Sequence, residues 1–318
     1  MLIPILWLLA GLILLIKGAD WLVNAASALA KKYNVSDLAI GLTIVAFGTS
    51  APELVVNVMS AFQGYHEIVF ANVIGSNNFN LLVILGISGL ITPLVVQSST
   101  VWKEIPLSLF AAILLFFLAN DFLSTSLPGL SRIDGIIFLI LFGLFLFYVY
   151  KQLGSDPAEA EAPITDFSQL KIWLFIIAGL AGLILGGKLV VDNAIEIASS
   201  LGVSEKIIGL TIIAAGTSLP ELATSIVAAM RKNVDIAVGN IIGSNIFNIF
   251  LILAVSSLIK PIEFNPSFNN ELYLLAGGTA FLFIAMFTGG KKKLDRWESA
   301  LMLILFLAYT VFLVYKEL

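Results

Sequence analysis

Long apolar segments alternate with short polar connections along the whole chain. Each apolar segment is about as long as a helix must be to cross the roughly 30 Å hydrocarbon core of a bilayer. The pattern therefore predicts an all-α polytopic membrane protein. Its expected spans are 2–29, 37–62, 68–92, 104–120, 133–150, 171–198, 205–230, 235–259, 271–288 and 297–315. We interpret the first apolar run as a true span, because no basic stretch or cleavage pattern accompanies it.

Composition places the chain in the same class and excludes several others. Of 318 residues, 59% are hydrophobic and 12% are charged, whereas a soluble domain carries about 25% charged residues. The absence of cysteine excludes thiol catalysis, disulfides and Cys-ligated metal. A net charge of -4 gives no reason to expect nucleic acid as a partner. The single histidine, His66, is expected at the surface, and no catalytic motif such as HExxH is present, so we expect no enzyme.

The two halves of the chain repeat each other at a shift of 168 positions. Ser36–Ala61 and Ser204–Ala229 share fourteen of 26 residues, and NVIGSNNFN at 72–80 corresponds to NIIGSNIFN at 240–248. Each half holds five predicted spans, an odd number, so the second half should enter the membrane in the opposite orientation. The sequence thus predicts two inverted-topology five-helix repeats. Residues 1–150 form the first repeat, 151–170 an acidic cytoplasmic linker and 171–318 the second repeat.

The distribution of basic residues predicts the orientation. Of seventeen Lys and Arg residues, eleven fall in the connections after spans 1, 3, 5, 7 and 9, and four lie on the opposite side. By the positive-inside rule, both termini face outward and the basic segment 291–296 is cytoplasmic. The expected location is the plasma membrane of a prokaryote, with lipid as a partner and no obligate protein partner evident.

The strongest chemical signal is a motif that occurs once in each repeat. Spans 2 and 7 contain GTSAPE at 48–53 and GTSLPE at 216–221. Proline removes a backbone donor, so these helices should break near Thr49 and Thr217. A glutamate in mid-span, here Glu53 or Glu221, usually marks an ion or proton pathway. A kinked helix with a neutral buried glutamic acid is the alternative, but two equivalent copies favour an ion site. Within each motif, hydroxyl and carboxylate are expected to share one helix face.

Spans 3 and 8 supply further polar candidates. Ser76 and Asn80 lie four residues apart, as do Ser244 and Asn248, so each pair shares a helix face. Interhelical hydrogen bonding is the alternative role, and we favour it, or cavity lining, for Asn72, Asn77, Asn240 and Asn245. We expect helices 2, 3, 7 and 8 all to be broken. Oxygen ligands without His or Cys suit hard cations, namely Ca2+ or Na+.

These paired motifs resemble those of the calcium/cation antiporter superfamily, specifically the prokaryotic sodium/calcium exchangers. The resemblance covers essentially the whole chain. It implies exchange of Na+ for Ca2+ by alternating access, with both ions as transported substrates, no organic cofactor, and spans 1 and 6 sliding as a gate. By motif position it implies that Glu53 and Glu221 bind both ions and that Thr49 and Thr217 use their carbonyls. Ser50, Ser76, Ser218 and Ser244 would line the outer sodium sites, and Asn80 and Asn248 the middle site.

The sequence departs from this family at one position. Where Asn248 stands, the family often has an aspartate, including in its potassium-dependent members. The predicted site then carries a charge of about -2, which one Ca2+ or two Na+ neutralise, whereas a third Na+ leaves it at about +1. The Na+ stoichiometry is therefore not carried over from the family, and potassium co-transport is disfavoured.

Spans 1 and 6 carry a second polar set: Lys17, Asp20 and Asn24, then Lys188, Asp192 and Asn193. Under the 168 shift, Asp20 corresponds to Lys188. We expect local pairs, Lys17 with Asp20 and Lys188 with Asp192, since each pair is spaced for one helix face. The alternative is that the opposite charges at related positions pair or bias the gate.

Two other functions compete with Na+/Ca2+ exchange. Ca2+/H+ exchange is the nearer one, because desolvated glutamates can carry protons. The serines beside the glutamates favour Na+, since a proton exchanger needs no additional oxygen sites. A channel would need a continuous pore and usually a ring of subunits, so inverted repeats in one chain favour alternating access.

Overall fold

The protein is described by a computed structural model that covers residues 2–121, 128–152, 167–201, 214–289 and 292–317. Most of these residues are helical. Seven helices in the described ranges are long and apolar enough to cross a membrane, and one bent helix pair would make an eighth. The part of the fold that the structure describes is therefore that of a helical membrane protein.

In chain order, the helices of the first half are α1 Leu2–Tyr33, α2 Asp37–Thr49, α3 Ala51–Gln63, α4 His66–Ile91, α5 Thr100–Asn120 and α6 Arg132–Gln152. Those of the second half are α7 Gln169–Ser200, α8 Ala214–Gly216, α9 Leu219–Met230, α10 Val234–Ile259, α11 Asn269–Ala285 and α12 Arg296–Glu317. Of the long spanning helices, α4 and α10 are the most deeply buried, so they form the centre of the described fold.

Proline breaks the helices of the GTS-containing motifs, as the sequence predicts. The α2 and α3 axes differ by 47° at a break around Ser50, with Pro52 in the first turn of α3. The chain breaks again at Thr217 and Ser218, between α8 and α9, where Pro220 lies in the first turn of α9. Each glutamate therefore lies at the start of a new helix.

The prediction that helices 3 and 8 are broken is wrong. Their counterparts α4 and α10 stay helical throughout, with wider π-helical turns over Phe79–Ile84 and Asn248–Leu253. Neither helix contains proline, so every residue keeps the backbone N–H that a helix needs. The extra residue of a π turn adjusts the direction of side chains without opening the helix, and such turns are frequent at functional sites.

Helices α1 and α7 form a close antiparallel pair through glycines. A side chain at Gly18 would meet the Gly179 carbonyl oxygen at 2.8 Å, and one at Gly11 would meet the Gly186 carbonyl oxygen at 2.9 Å. Residue numbers that increase along α1 thus face residue numbers that decrease along α7, so the two helices run antiparallel. Small residues let two helices approach until their backbones touch, which is how helices associate strongly in lipid.

Short strands connect the two halves near the helix ends. β1 Leu94–Val95 pairs antiparallel with β4 Lys293–Leu294, and β2 Gly129–Leu130 pairs antiparallel with β3 Ile262–Glu263. Each pair joins one strand from each half of the chain. These pairs satisfy backbone groups where the helices end.

Two expectations fall partly outside the described residues. Of the acidic linker 151–170, residues 153–166 are not described, and of the predicted span 205–230, neither are residues 205–213. The count of ten spans and the division into repeats at 150 and 170 remain predictions.

Replacing Gly18 with alanine should destabilise the protein. The new Cβ would lie 2.8 Å from the Gly179 carbonyl oxygen and from the Leu183 nitrogen, both backbone atoms of α7. Such overpacking costs about 1–3 kcal/mol, so we expect a lower melting temperature in detergent. Gly143→Ala in α6 is the matched control, because nothing lies within 4 Å of its added Cβ. Equal melting temperatures for the two variants would contradict the close packing of α1 on α7.

Candidate ion-binding site

The two motif glutamates lie in the first turns of the helices that follow the breaks. Glu53 is in α3 and Glu221 in α9, and both side chains are fully buried. The N-terminus of a helix carries partial positive charge and free N–H groups, which stabilise a nearby carboxylate. A break followed by Pro and Glu therefore places an acidic group at a favourable helix end in the interior.

Serines hold each carboxylate from the opposite half of the chain. The Ser50 hydroxyl donates to Glu221 Oε1 at 2.8 Å, and the Ser218 hydroxyl donates to Glu53 Oε1 at 3.3 Å. Spacing alone allows Ser50 and Glu53 to share one helix face, but the carboxylate that accepts the Ser50 hydrogen bond is Glu221 of the other half. At the break, Ser50 leaves the helical conformation, so its side chain turns towards α9. The crossed bonds bring Glu53 and Glu221 side by side.

The serines of α4 and α10 complete this ring. Ser76 donates to Glu53 Oε1 at 3.4 Å, and Ser244 donates to Glu221 Oε1 at 3.3 Å. Each carboxylate thus has one oxygen bonded to two serines, one from its own half and one from the other. The hydroxyl groups stabilise the charged form of each carboxylate.

Four asparagines join α4 to α10 beside the glutamates. The Asn80 amide donates to Asn245 Oδ1 at 3.2 Å, and the Asn248 amide donates to Asn77 Oδ1 at 2.8 Å. The amides of Asn77 and Asn245 each donate to the other's backbone carbonyl oxygen, at 3.2 and 3.3 Å. The interhelical bonding expected for Asn77 and Asn245 is thus present.

Threonines and a further layer of polar groups surround the centre. The Thr49 hydroxyl donates to Asn240 Oδ1 at 3.0 Å, and the Thr217 hydroxyl donates to Asn72 Oδ1 at 3.2 Å. Asn72 and Asn240 act between helices, as expected. Their amides donate to Asn57 and Ser225 respectively, at 2.9 and 3.0 Å.

The sequence reasoning missed Asn57 and Ser225. A signal was present, because the two are related by the 168 shift and each lies four residues after a motif glutamate. Both side chains are fully buried, and a polar residue repeated at the same buried position indicates a supporting role.

Four buried oxygens at this centre have no hydrogen-bond partner among the described residues. They are Glu53 Oε2, Glu221 Oε2, Asn80 Oδ1 and Asn248 Oδ1, two from each half of the chain. An unpaired acceptor inside a protein costs about 1–3 kcal/mol. Four of them from four helices therefore make a set of acceptors that a cation could satisfy.

The structure places all ten predicted site residues in this central cluster. Nine are buried, and Thr217 is partly exposed. The cluster contains no group of three or more acidic or histidine side chains, and none occurs elsewhere in the described ranges. A metal ion here would rely on amide and hydroxyl oxygens in addition to two carboxylates.

A cavity of about 400 Å³ lies beside the centre, and Thr217, one of the ten site residues, is part of its lining. Its lining also includes Pro220 of α9, Val55 of α3, and Lys188 and Val191 of α7. The corresponding residues of the other half are more closed: Val23, the counterpart of Val191, is 1% exposed, and Thr49, the counterpart of Thr217, is fully buried. Among the described residues, the side of the fold that holds Val191 and Thr217 is therefore less closely packed than the side that holds Val23 and Thr49.

The local pairing expected on spans 1 and 6 is wrong. Asp20 forms its ion pair with Arg231, at the end of α9, and Asn24 accepts a hydrogen bond from the same guanidinium. Within the described ranges, neither Lys17 with Asp20 nor Lys188 with Asp192 approaches ion-pair distance. The forked guanidinium of Arg231 can reach both α1 side chains at once, whereas the ammonium of Lys17, three residues before Asp20, is a single point charge.

A buried carboxylate pair at two helix breaks, surrounded by hydroxyl and amide oxygens inside a helical membrane fold, is the type of site expected in a membrane protein that transports cations. Comparison with known sequences gives the particular family. The chain belongs to the sodium/calcium exchanger protein family, whose profile matches residues 3–151 and 171–315.

Relatives extend along the whole chain. It is 38% identical to the putative antiporter CaxA of Alkalimonas amylolytica, over 97% of this chain and 98% of that protein. It is 31% identical to the sodium/calcium exchanger MaX1 of Methanosarcina acetivorans, over 97% of each chain. Solved structures of the sodium-calcium exchanger NCX_Mj superpose with a TM-score of 0.83 at 34% identity, covering 97% of each chain. The chain is thus an antiporter of the cation/Ca2+ exchange class.

Replacing Asn77 with alanine should destabilise the protein. The change removes the acceptor of the Asn248 amide and breaks the bond between Asn77 and the Asn245 carbonyl. Buried groups left unpaired cost about 1–3 kcal/mol, so the melting temperature in detergent should fall by several degrees. Ser88→Ala in α4 is the control, since the buried Ser88 hydroxyl has no partner among the described residues. A fall no larger than that of Ser88→Ala would show that the asparagine network contributes little.

Proposed function

We propose that the protein exchanges Na+ for Ca2+ by alternating access, with the two ions competing for the site between Glu53 and Glu221. The observation that carries the proposal is the set of four unpaired buried oxygens at the centre. Two belong to carboxylates and two to amides, and hard cations prefer ligands of these types. A cation bound there would satisfy all four helices that supply them.

The proposed ligands fall into two groups. Glu53 and Glu221 would bind either ion and are joined by Asn80 and Asn248 in the middle of the site. Ser50, Ser76, Ser218 and Ser244, with the carbonyls of Thr49 and Thr217, would serve flanking sodium sites. The serine hydroxyls already lie within hydrogen-bond distance of the carboxylates. A sodium ion bound by a carboxylate could therefore also be bound by a serine oxygen.

The charge of this centre limits what it can hold. Two ionised glutamates give -2, so one Ca2+ or two Na+ neutralise the charge in a weakly polarisable interior. Competition between the ions then follows, because either load satisfies the same carboxylates. Exchange results when the protein changes its open face only with a load bound.

We further propose that the fold consists of ten spans in two inverted repeats, 1–150 and 171–318, with the cation sites at the bilayer midplane. Three observations support this arrangement. The related helices α1 and α7 run antiparallel. The bond from Ser50 to Glu221 has its counterpart, at a shift of 168, in the bond from Ser218 to Glu53. The strand pairs likewise join opposite halves. The distribution of basic residues favours an orientation with both termini outside, and the plasma membrane of a prokaryote is the proposed location.

The coupling ion can be identified with purified protein in lipid vesicles. We expect an outward-directed Na+ gradient to drive uptake of radioactive Ca2+, and a proton gradient of equal size without Na+ to drive little. A proton ionophore should leave the Na+-driven uptake unchanged. Uptake that follows the pH gradient alone would instead establish the Ca2+/H+ alternative.

Glu53→Gln and Glu221→Gln should each reduce Na+-driven Ca2+ uptake by more than tenfold. Each change keeps the size of the side chain but removes half of the negative charge that neutralises a divalent ion. A tenfold loss of affinity requires only about 1.4 kcal/mol, which is less than the loss of a buried charge partner is expected to cost. Glu104→Gln is the matched control, because Glu104 is also a buried glutamate but bonds Tyr148 away from the centre. Full exchange by a folded Glu53→Gln variant would end the proposal.

Exchange should not require potassium. Asparagine at both Asn80 and Asn248 leaves the centre without a third carboxylate to balance an additional monovalent ion. Na+-driven Ca2+ uptake should therefore be equal in choline and in potassium media. An absolute requirement for K+ would contradict this charge count.

A further inference from the structure

One face of α1 is fastened to the connection between α9 and α10. Asp20, Asn24 and Ser27 recur at intervals of four and three residues, so they lie on one side of the helix. The guanidinium of Arg231 donates to Asp20 and Asn24, and the Asn233 amide donates to the Ser27 hydroxyl at 2.9 Å. Two residues of one short connection thus hold three side chains of α1.

Both anchoring residues are fixed in turn by their own helices. Arg231 is the C-terminal cap of α9, the helix that carries Glu221 in its first turn. Asn233 caps the start of α10 by accepting a hydrogen bond from the Ile236 N–H at 3.1 Å. The contact therefore joins α1 to the two helices that carry Glu221 and Asn248.

The other half of the chain does not have the residues that form this contact. At a shift of 168, Asp20, Asn24 and Ser27 correspond to Lys188, Asp192 and Ile195 on α7, while Arg231 and Asn233 correspond to Gln63 and Tyr65. Gln63 carries no charge, and Lys188 is a cation where α1 has an anion. In the described ranges, no hydrogen bond or ion pair joins Gln63 or Tyr65 to α7.

The face that has the Arg231 contact and the face that lacks it also differ in how closely they are packed. The face at which Arg231 holds α1 is closed, because Val23 on α1 is 1% exposed. On the face of Gln63, Val191, the counterpart of Val23, lines the cavity of about 400 Å³, so this face is the more open one among the described residues, which leave out 202–213. Among these residues, the contact and the tighter packing thus occur together on the Arg231 face.

From this we infer that Arg231 is a positioning residue that fastens α1 through Asp20 and Asn24, and so favours the state in which the Arg231 face is closed and the Gln63 face is open. The inference rests on the alternating access proposed above. Repeats with identical contacts would give two states of similar free energy, so a contact made by one repeat alone shifts the balance between them.

The size of the shift follows from the exposure of the contact. The Arg231 and Asp20 side chains are 40% and 35% exposed, and exposed ion pairs contribute little individually. The additional charge-assisted bond to Asn24 strengthens the contact. We expect removal of the arginine to change the ratio of the two states by about three- to tenfold.

The absence of native cysteine allows a direct test. Single-cysteine variants Val191→Cys and Val23→Cys report on the two faces, and each is combined with Arg231→Gln, the residue found at the related position 63. Labelling with a membrane-impermeant maleimide is measured from both sides, in cells and in inverted vesicles. This readout needs no ion flux, so it remains informative if the transported ions have been wrongly assigned.

With native Arg231, the cysteine at 191 should react quickly and that at 23 slowly. Arg231→Gln should raise the rate at position 23 by about three- to tenfold and lower the rate at 191. Arg231→Lys should give an intermediate result, since lysine keeps the charge but not the forked pair of donors. Lys232→Gln, which removes a charge from the adjacent position, is the matched control and should change neither rate.

A second pair of variants separates positioning from a general loss of stability. Asp20→Arg alone should resemble Arg231→Gln, and combining it with Arg231→Asp should restore most of the native labelling pattern. A merely destabilised protein would label faster at both positions. Unchanged rates in folded Arg231→Gln, or a charge-reversed pair that behaves like the single variants, would overturn the inference.

Discussion

The crossed hydrogen bonds between serines and glutamates are the interaction on which the centre of this protein depends. Two carboxylates buried in a bilayer repel each other and lose their hydration, so each needs donors close by. Ser50 donates to Glu221 and Ser218 donates to Glu53. Each half of the chain thereby stabilises the acidic group of the other. Both serines lie at the helix breaks, where the backbone leaves the helical conformation and the side chain can point to the other half.

Sequence reasoning predicted the central residues because the repeated motif carries its own chemistry. Proline predicts a break, and glutamate beside it predicts a buried charge, so the locations of Glu53 and Glu221 followed. The partners did not follow, because spacing along one helix describes neighbours on that helix only. Because Ser50 leaves the helical conformation, its side chain contacts Glu221 on α9 and not a neighbour on its own helix. Likewise, Arg231 lies in a polar connection, where no periodicity indicates which helix it will contact.

The helices around the centre differ in how they permit movement. Helices α4 and α10 are fastened to each other by four asparagine amides, so they form a fixed frame. The buried surface of α1 instead combines small residues, Ala19, Ala25, Ala26 and Ala30, with the larger Leu15, Leu22, Val23 and Leu29. Its contacts are thus mainly apolar packing, which lacks the directional hydrogen bonds that join α4 to α10.

The crossed serine bonds also have a consequence for biosynthesis. When the ribosome has completed the first half of the chain, Glu53 is already in place, but Ser218, which donates to it, has not been made. The nascent half must therefore be inserted without a finished centre, and ions cannot contribute to its stability at that stage. A chain that ends after the first half therefore contains only half of the oxygens that surround the two carboxylates.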